Sequence, residues 1–245
     1  MKAIILCAGM GGRLRPLTEN RPKCLLTFSG RTILECGLEN FAAAGIDDVV
    51  LVTGYRRDLV ETLAREKAGG RVSFVYNGRY AETNTAASLN LALKVMDDDF
   101  ILANGDVLFD ASILNDLVRS PAAHVIAVDA AIKLDWEEVK VVAPDGRVEK
   151  IGKELDPREC LGEAIGLNKV GRGLIPDLRT IYDELERKGE TSLFFEFAFD
   201  RICRAESGQG RDFRVVLTRG RPWAEIDTPE DFEYARREIY PRLRG

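Results

Sequence analysis

A short basic, glycine-rich loop and two distant aspartates carry most of the chemistry open to this sequence. The loop is Ala8-Gly9-Met10-Gly11-Gly12-Arg13-Leu14-Arg15-Pro16-Leu17-Thr18, entered directly from the apolar run Lys2 to Cys7. Glycines let a backbone approach a ligand closely and turn its N–H groups toward an anion. Between Met10 and Cys24 stand four basic residues, Arg13, Arg15, Arg21 and Lys23, against the single acid Glu19. Because the whole chain carries a net charge of -5, this local excess points to a bound polyphosphate. Two common phosphate loops are excluded. Leu14 stands where the third glycine of GxGxxG belongs, the strand ending at Thr53-Gly54-Tyr55 lacks a ribose-binding acid, and no GxxxxGK[ST] occurs.

The aspartates are Asp106, closing the apolar run Ile101-Leu102-Ala103-Asn104-Gly105, and Asp227, in Glu225-Ile226-Asp227-Thr228-Pro229-Glu230-Asp231. A carboxylate at the C-terminal end of a strand lies on the ligand side of an open α/β sheet and suits Mg²⁺. A polar turn is the competing reading of Asn104-Gly105-Asp106. In the second string Thr228 caps a helix, Pro229 opens it, and Glu230 and Asp231 complement its positive end, which leaves Asp227 without a local role. The run Asp97-Asp98-Asp99 reads as a solvated turn. His124 is the sole histidine and sits in an apolar run, so it reads as structural and a Ser-His-Asp mechanism loses its base.

Elements must hold these groups. Lys2 to Cys7, Asp48 to Thr53, Val72 to Tyr76 and Phe100 to Ala103 read as buried strands. Helical patterns over Thr32 to Ala44, Arg56 to Ala68 and Thr83 to Val95 alternate with them, which implies βαβ units. Beyond Ala122 the pattern turns mixed, with strands at Val125 to Asp129, Val139 to Val142, Val148 to Ile151, Ala164 to Asn168, Phe213 to Leu217 and Trp223 to Ile226. Pro144-Asp145-Gly146 marks a hairpin. Helices follow at Leu174 to Lys188 and Leu193 to Ala205, and a last one opens at Thr228. One domain over 1–245 is expected, in two halves of about 1–120 and about 121–245.

At 45% hydrophobic and 31% charged residues the chain has the composition of a soluble globular protein. Its acidity argues against nucleic acid as partner. Five cysteines without a CxxC pair argue against a zinc site or disulfide framework. The apolar start is too short for a signal peptide and no run could span a bilayer, so the expected place is the cytoplasm, with no membrane partner.

The string Leu6-Cys7-Ala8-Gly9-Met10-Gly11-Gly12-Arg13-Leu14-Arg15-Pro16-Leu17-Thr18, followed by Arg21-Pro22-Lys23, resembles the signature of nucleotidyltransferases that activate sugar-1-phosphates and related phosphomonoesters. It departs at Cys7, where alanine is usual. The resemblance implies an α/β fold of the nucleotide-diphospho-sugar transferase, GT-A-like kind: a Rossmann-like, mixed but mainly parallel sheet flanked by helices. It also implies a triphosphate cradled by Leu6, Ala8, Gly9, Gly11 and Gly12, with Arg13 on the departing pyrophosphate and Lys23 near the reacting centre. Gly105 would border the nucleotide, and Asp106 and Asp227 would hold Mg²⁺.

Tyr80-Ala81-Glu82-Thr83-Asn84-Thr85-Ala86-Ala87-Ser88-Leu89 is similar to the YxxxNNxxSL segment of cytidylyltransferases acting on phosphocholine, phosphonates or inositol-1-phosphate, with Thr85 in place of the second asparagine. The likeness implies CTP, bordered by Tyr80, Asn84, Thr85 and Ser88. The stretches around Lys140, Lys153 and Glu163 are similar to the same subgroup's acceptor elements, so Lys140 and Lys153 are expected on the acceptor's phosphate or phosphonate and Glu163 and Glu196 on its hydroxyl or amine. Uridylyl or thymidylyl transfer to a sugar-1-phosphate and a nucleotide-sensing domain are the competing functions, and the reading admits a homodimer.

Overall fold

A computed structural model describes residues 1–205 and 211–244. The apolar start forms β1 (Lys2–Cys7), flanked on both sides by parallel strands and therefore apolar on both faces. Ile4 and Leu6 enter one core, while Ala3, Ile5 and Cys7 enter the other. A small hairpin, β2 (Thr27–Phe28) and β3 (Arg31–Thr32), precedes α1 (Ile33–Ala43). The winding continues through β4 (Asp48–Thr53), α2 (Arg57–Lys67), β5 (Arg71–Tyr76), α3 (Thr85–Leu93) and β6 (Phe100–Asn104). Strands β6, β1, β4 and β5 lie side by side in that order, all parallel. The expected βαβ windings are present.

The chain then changes style. Its next elements are β7 (Val107–Phe109), α4 (Ala111–Arg119), β8 (His124–Asp129), β9 (Lys140–Val142), β10 (Lys150–Gly152) and β11 (Gly162–Val170). They are followed by α5 (Ile175–Lys188), α6 (Glu196–Arg204), β12 (Phe213–Leu217), β13 (Trp223–Glu225) and α7 (Pro229–Tyr234). Strand β11 runs antiparallel to β6, β8 and β9, whereas β12 joins β8 in parallel. Strands β9 and β10 form the hairpin expected around Pro144-Asp145-Gly146. The result is a mixed sheet of nine strands whose first half is parallel.

Caps set the helix ends. Thr32 and Glu35 form a capping box on α1, and Thr228 and Asp231 form another on α7, with Pro229 at its first turn. Asn84 caps α3, so that helix starts at Thr85 rather than Thr83. Sequence reading passed over β2, β3, β7 and α4. Helix α4 carries its own signal: Asp110 accepts from Ser112 N at 2.8 Å, and Ile113, Leu114 and Leu117 follow on a buried stripe. His124 is buried, and its Nδ1 accepts from Gly171 N at 3.1 Å, a structural role. No helix among the described residues is long and apolar enough to cross a membrane.

A third apolar cluster lies apart from the two cores that flank the sheet. It joins Leu14 of the glycine loop, Phe28, Leu108 of β7, Ile226 just after β13, and Ile239 and Tyr240 near the C-terminus. Strand β13 pairs antiparallel with β7, and Ile226 N donates to Asp106 O at 3.0 Å. The ends of β1 and β6 meet under the loop, where Gly105 N donates to Leu6 O at 3.0 Å. A Cβ on Gly105 would lie 2.6 Å from both Cys7 Sγ and Leu6 O, so only glycine fits there. Gly105→Ala is expected to lower the melting temperature by several degrees, at about 2–4 °C per kcal/mol of strain for a chain of this size. Gly9→Ala, whose added carbon meets nothing within 4 Å, should shift it by no more than about 1 °C. Thermal unfolding of both variants checks this, and equal midpoints would refute the close approach.

Candidate active site

The glycine loop leaves β1 and closes on itself. Gly11 takes the left-handed conformation (φ 63°, ψ 44°), its carbonyl accepting from Thr18 Oγ1 at 2.6 Å and from Leu14 N at 3.0 Å. That turn sends Leu14 into the third apolar cluster and leaves the Arg13 side chain 63% exposed. Leu6, Ala8, Gly9, Gly11, Gly12, Arg13 and Lys23 all line one cleft of about 1050 Å³. This lies at the upper end of small-molecule sites, which run to about 1000 Å³, so there is room for two substrates.

The convergence inferred for Asp106 and Asp227 is present. The β7–β13 ladder sets them side by side, and Lys23 Nζ bridges them at 2.5 Å from Asp106 Oδ2 and 2.5 Å from Asp227 Oδ1. Arg13 holds the other oxygen of Asp227 at 2.6 Å. Burial disfavours the charge on Lys23, yet the two aspartates outweigh it and hold the ammonium above its ordinary range. Burial likewise opposes ionisation of Asp227, and Lys23 and Arg13 override it and pull the carboxyl down. Lys23 and Asp227 are therefore both held in their charged forms.

Glu225 joins this pair, a residue to which sequence reading gave no role. One oxygen each from Asp106, Glu225 and Asp227 lies within 4.8 Å of the others. Burial, then repulsion from Asp106 and Asp227, pushes the Glu225 carboxyl well above its usual range. Asp106 Oδ1 is buried without a hydrogen-bond partner. Three carboxylates with an orphaned oxygen form an all-oxygen donor set that fits a hard divalent cation. The Asp97–Asp99 run is separate: Asp97 and Asp98 pair with Lys2 and the N-terminus.

On one flank the cleft is walled by Tyr80, Asn84, Thr85 and Ser88. Asn84 accepts from Thr85 N at 2.8 Å, and Ser88 Oγ accepts from Asn77 Nδ2 at 3.0 Å, a partner the sequence did not suggest. A seam of bonds ties this segment to the stretch before α6. Asn84 N donates to Thr191 O at 2.9 Å, Ala86 N to Leu193 O at 3.2 Å, and Phe195 N to Thr85 Oγ1 at 3.0 Å.

Lys153, Glu163 and Glu196 also line the cleft as expected, joined by Asp129, Glu137 and Glu138. Two expected residues do not line it. Lys140 is fully buried and its ammonium donates to Glu138 O at 2.9 Å, which leaves no surface for an acceptor phosphate. Gly105 acts by close packing under β1 rather than as cleft lining. Burial, with repulsion from Glu138 and Asp129, pushes Glu163 up to about 8. Burial, helped by repulsion from Asp106, outweighs the backbone hydrogen bond and Lys153 at Glu196 and raises it to about 7.

With this geometry in view, comparisons with known proteins are specific. The profile of the family described as nucleotidyl transferase matches residues 2–141. CMP-5'-(3-aminopropyl)phosphonate synthase of Streptomyces rubellomurinus is 29% identical over 238 residues, 94% of this chain. The chain spans only 37% of that relative's length. Choline-phosphate cytidylyltransferase of Streptococcus pneumoniae is 38% identical over 210 residues, covering 76% of this chain and 90% of the relative. The inositol-1-phosphate CTP transferase from T. maritima superposes with a TM-score of 0.81 at 23% identity, over 99% of this chain and 94% of that one. Mannose-1-phosphate guanyltransferases and a UTP–glucose-1-phosphate uridylyltransferase match too.

The raised carboxyl of Glu163 has a measurable consequence. Its folded pKa of about 8 lies above the ordinary 4.5, so the folded state binds the proton more tightly. Unfolding free energy is therefore undiminished below the lower value and falls as pH rises through the window between them. Glu163→Gln removes that loss. Urea unfolding at about pH 5 and about pH 8.5 should show the variant gaining on the parent at the higher pH. A constant difference between the two would refute the buried, unpaired carboxyl.

Proposed function

The chain belongs to the nucleotidyl transferase family, and on that premise we propose that it transfers CMP from CTP to a small phosphomonoester or phosphonate, releasing pyrophosphate. The observation that carries this reading is the charged network in which Lys23 bridges Asp106 and Asp227 while Arg13 holds Asp227 at the rim of the glycine loop. It gathers positive charge where a triphosphate would lie and carboxylates where a cation would be held. A sensing domain would have no need of this arrangement.

In the proposed reaction the loop amides and Arg13 hold the β- and γ-phosphates, and Lys23 lies against the α-phosphate. An oxygen of the acceptor's phosphate or phosphonate attacks the α-phosphorus in line. The new O–P bond forms as the bond to the bridging oxygen breaks, and pyrophosphate carries away the electron pair. An acceptor phosphate has its second pKa near ~6, so it is mostly dianionic at neutral pH and needs no general base. The protein's share is positioning and charge neutralisation. Asp106 and Asp227, with Glu225, would hold Mg²⁺, which when bound supplies Lewis-acid neutralisation of phosphoryl charge.

Support for cytosine comes from the Tyr80–Ser88 flank and from the cytidylyltransferases among the relatives. A sugar-1-phosphate reading is kept alive by the guanylyl and uridylyl relatives. Pyrophosphate release with each nucleoside triphosphate, over phosphocholine, aminoalkylphosphonates, inositol-1-phosphate and sugar-1-phosphates, separates the two. Release only with UTP, dTTP or GTP would sink the cytidylyl assignment. Asp106→Asn should lower turnover by at least about 100-fold, and chelation should abolish activity until Mg²⁺ is restored. Near-normal turnover in the variant would show that the cation is held elsewhere.

A further inference from the structure

The cleft carries its charge unevenly. At the loop end Arg13 and Lys23 face three carboxylates. Beside them Asp129, Glu137, Glu138, Glu163 and Glu196 line the cleft and outnumber its remaining cations, Lys153, Arg221 and Arg242. Two of these acids are buried with incomplete hydrogen bonding. Glu163 and Glu196 are each only 7% exposed. Burial and neighbouring acids, with only the charge of Lys153 opposing them, act on the Glu163 carboxyl, and Glu196 Oε2 is buried and unpartnered. Asp129, by contrast, is saturated: its oxygens accept from Ala131 N at 2.9 Å and Trp223 Nε1 at 2.6 Å. It stands as a fixed negative wall beside them.

A buried carboxylate without a partner costs stability unless something in the working complex completes it. Hydroxyl donors would satisfy the lone pairs but leave the excess negative charge. A cation corrects both. The kind of cation follows from what the aromatic rings are already doing. A quaternary ammonium has no N–H and is recognised by free aromatic faces. Here Lys153 Nζ covers the Phe194 ring at 4.9 Å, and Trp136, whose ring lies 5.9 Å from Lys140 Nζ, does not line the cleft. The free acceptors are carboxylate oxygens, which need N–H donors.

Building on the nucleotidyl-transfer reading, we propose that the acceptor is a phosphate or phosphonate bearing a primary ammonium, seated on Glu163 and Glu196 with Asp129 and Glu138 behind. Its phosphorus end points toward Lys23, and its amine end fills the acidic wall. The raised carboxyl of Glu163 is then the cost of an unfilled ammonium site, and the proton it holds is released when the cation binds.

Three acceptors of similar length test this with CTP and Mg²⁺: 2-aminoethylphosphonate, its neutral isostere propylphosphonate, and phosphocholine, with inositol-1-phosphate and glucose-1-phosphate as controls. The expected result is a kcat/KM for the primary ammonium at least about 100-fold above the isostere and above phosphocholine, the scale for a site built around hydrogen-bond donors. Glu163→Gln should cut that preference to below about 10-fold while leaving the Kd for CTP unchanged. Glu196→Gln should act in the same direction, so the outcome does not hang on one variant. Equal use of propylphosphonate, preference for phosphocholine, or a preference that survives both substitutions overturns the ammonium proposal. Pyrophosphate release with inositol-1-phosphate or glucose-1-phosphate alone overturns it and leaves nucleotidyl transfer standing. Release with no acceptor overturns both.

Discussion

The antiparallel ladder between β7 and β13 is the contact on which the site depends. It brings together two aspartates from distant parts of the chain and a third acid, Glu225, and their mutual repulsion must be met. Lys23 meets part of it by charge. The rest falls to the apolar cluster beneath, where Leu14, Leu108 and Ile226 are at most 1% exposed. Each such side chain contributes about 1.5–3 kcal/mol on burial, so three of them outweigh a carboxylate pair already bridged by an ammonium. Leu14 directly follows Arg13, and Ile226 directly precedes Asp227. The hydrophobic anchors and the charged groups are thus neighbours in sequence, and the cluster sets the reach of the charges.

The same arrangement shows where the fold trades stability for a task. The parallel half is built on continuous backbone ladders, and its strands enter the two apolar cores that flank the sheet. The mixed half carries Glu163 and Glu196 with their carboxyls forced toward the neutral form. Such groups persist where the surrounding structure holds them in place. Glu163 is fixed because β11 pairs there with β8 on one side and β9 on the other, and Glu196 because it begins α6 against the seam from α3.

Much of the parallel half was legible in the sequence, because its strands are continuous apolar runs and its helices are amphipathic between glycines. The loop was legible for a different reason: four basic residues crowd a glycine turn in an acidic chain. Strand β7 was not, since three residues give no period to read. Glu225 was hidden by its place in a strand that alternates into a cleft only its partner strand defines. Lys140 misled because its local string suggests a charged, outward strand residue, whereas Trp136 and the Glu138 carbonyl enclose it. Asn77 and Asp129 lie in turns and strand ends whose neighbours come from elsewhere in the fold, and no local spacing could announce them.

The seam between Asn84–Ala86 and Thr191–Phe195 has a consequence for anyone who would re-engineer this protein. The cleft wall at Asn84–Ala86 and the segment that launches Glu196 share their hydrogen bonds, so neither can be shaped alone. A chimera that borrows another protein's base pocket must import residues 191–196 as well, or the borrowed loop loses its partners. The two stretches of cleft wall are therefore inherited as a single module rather than as two interchangeable parts.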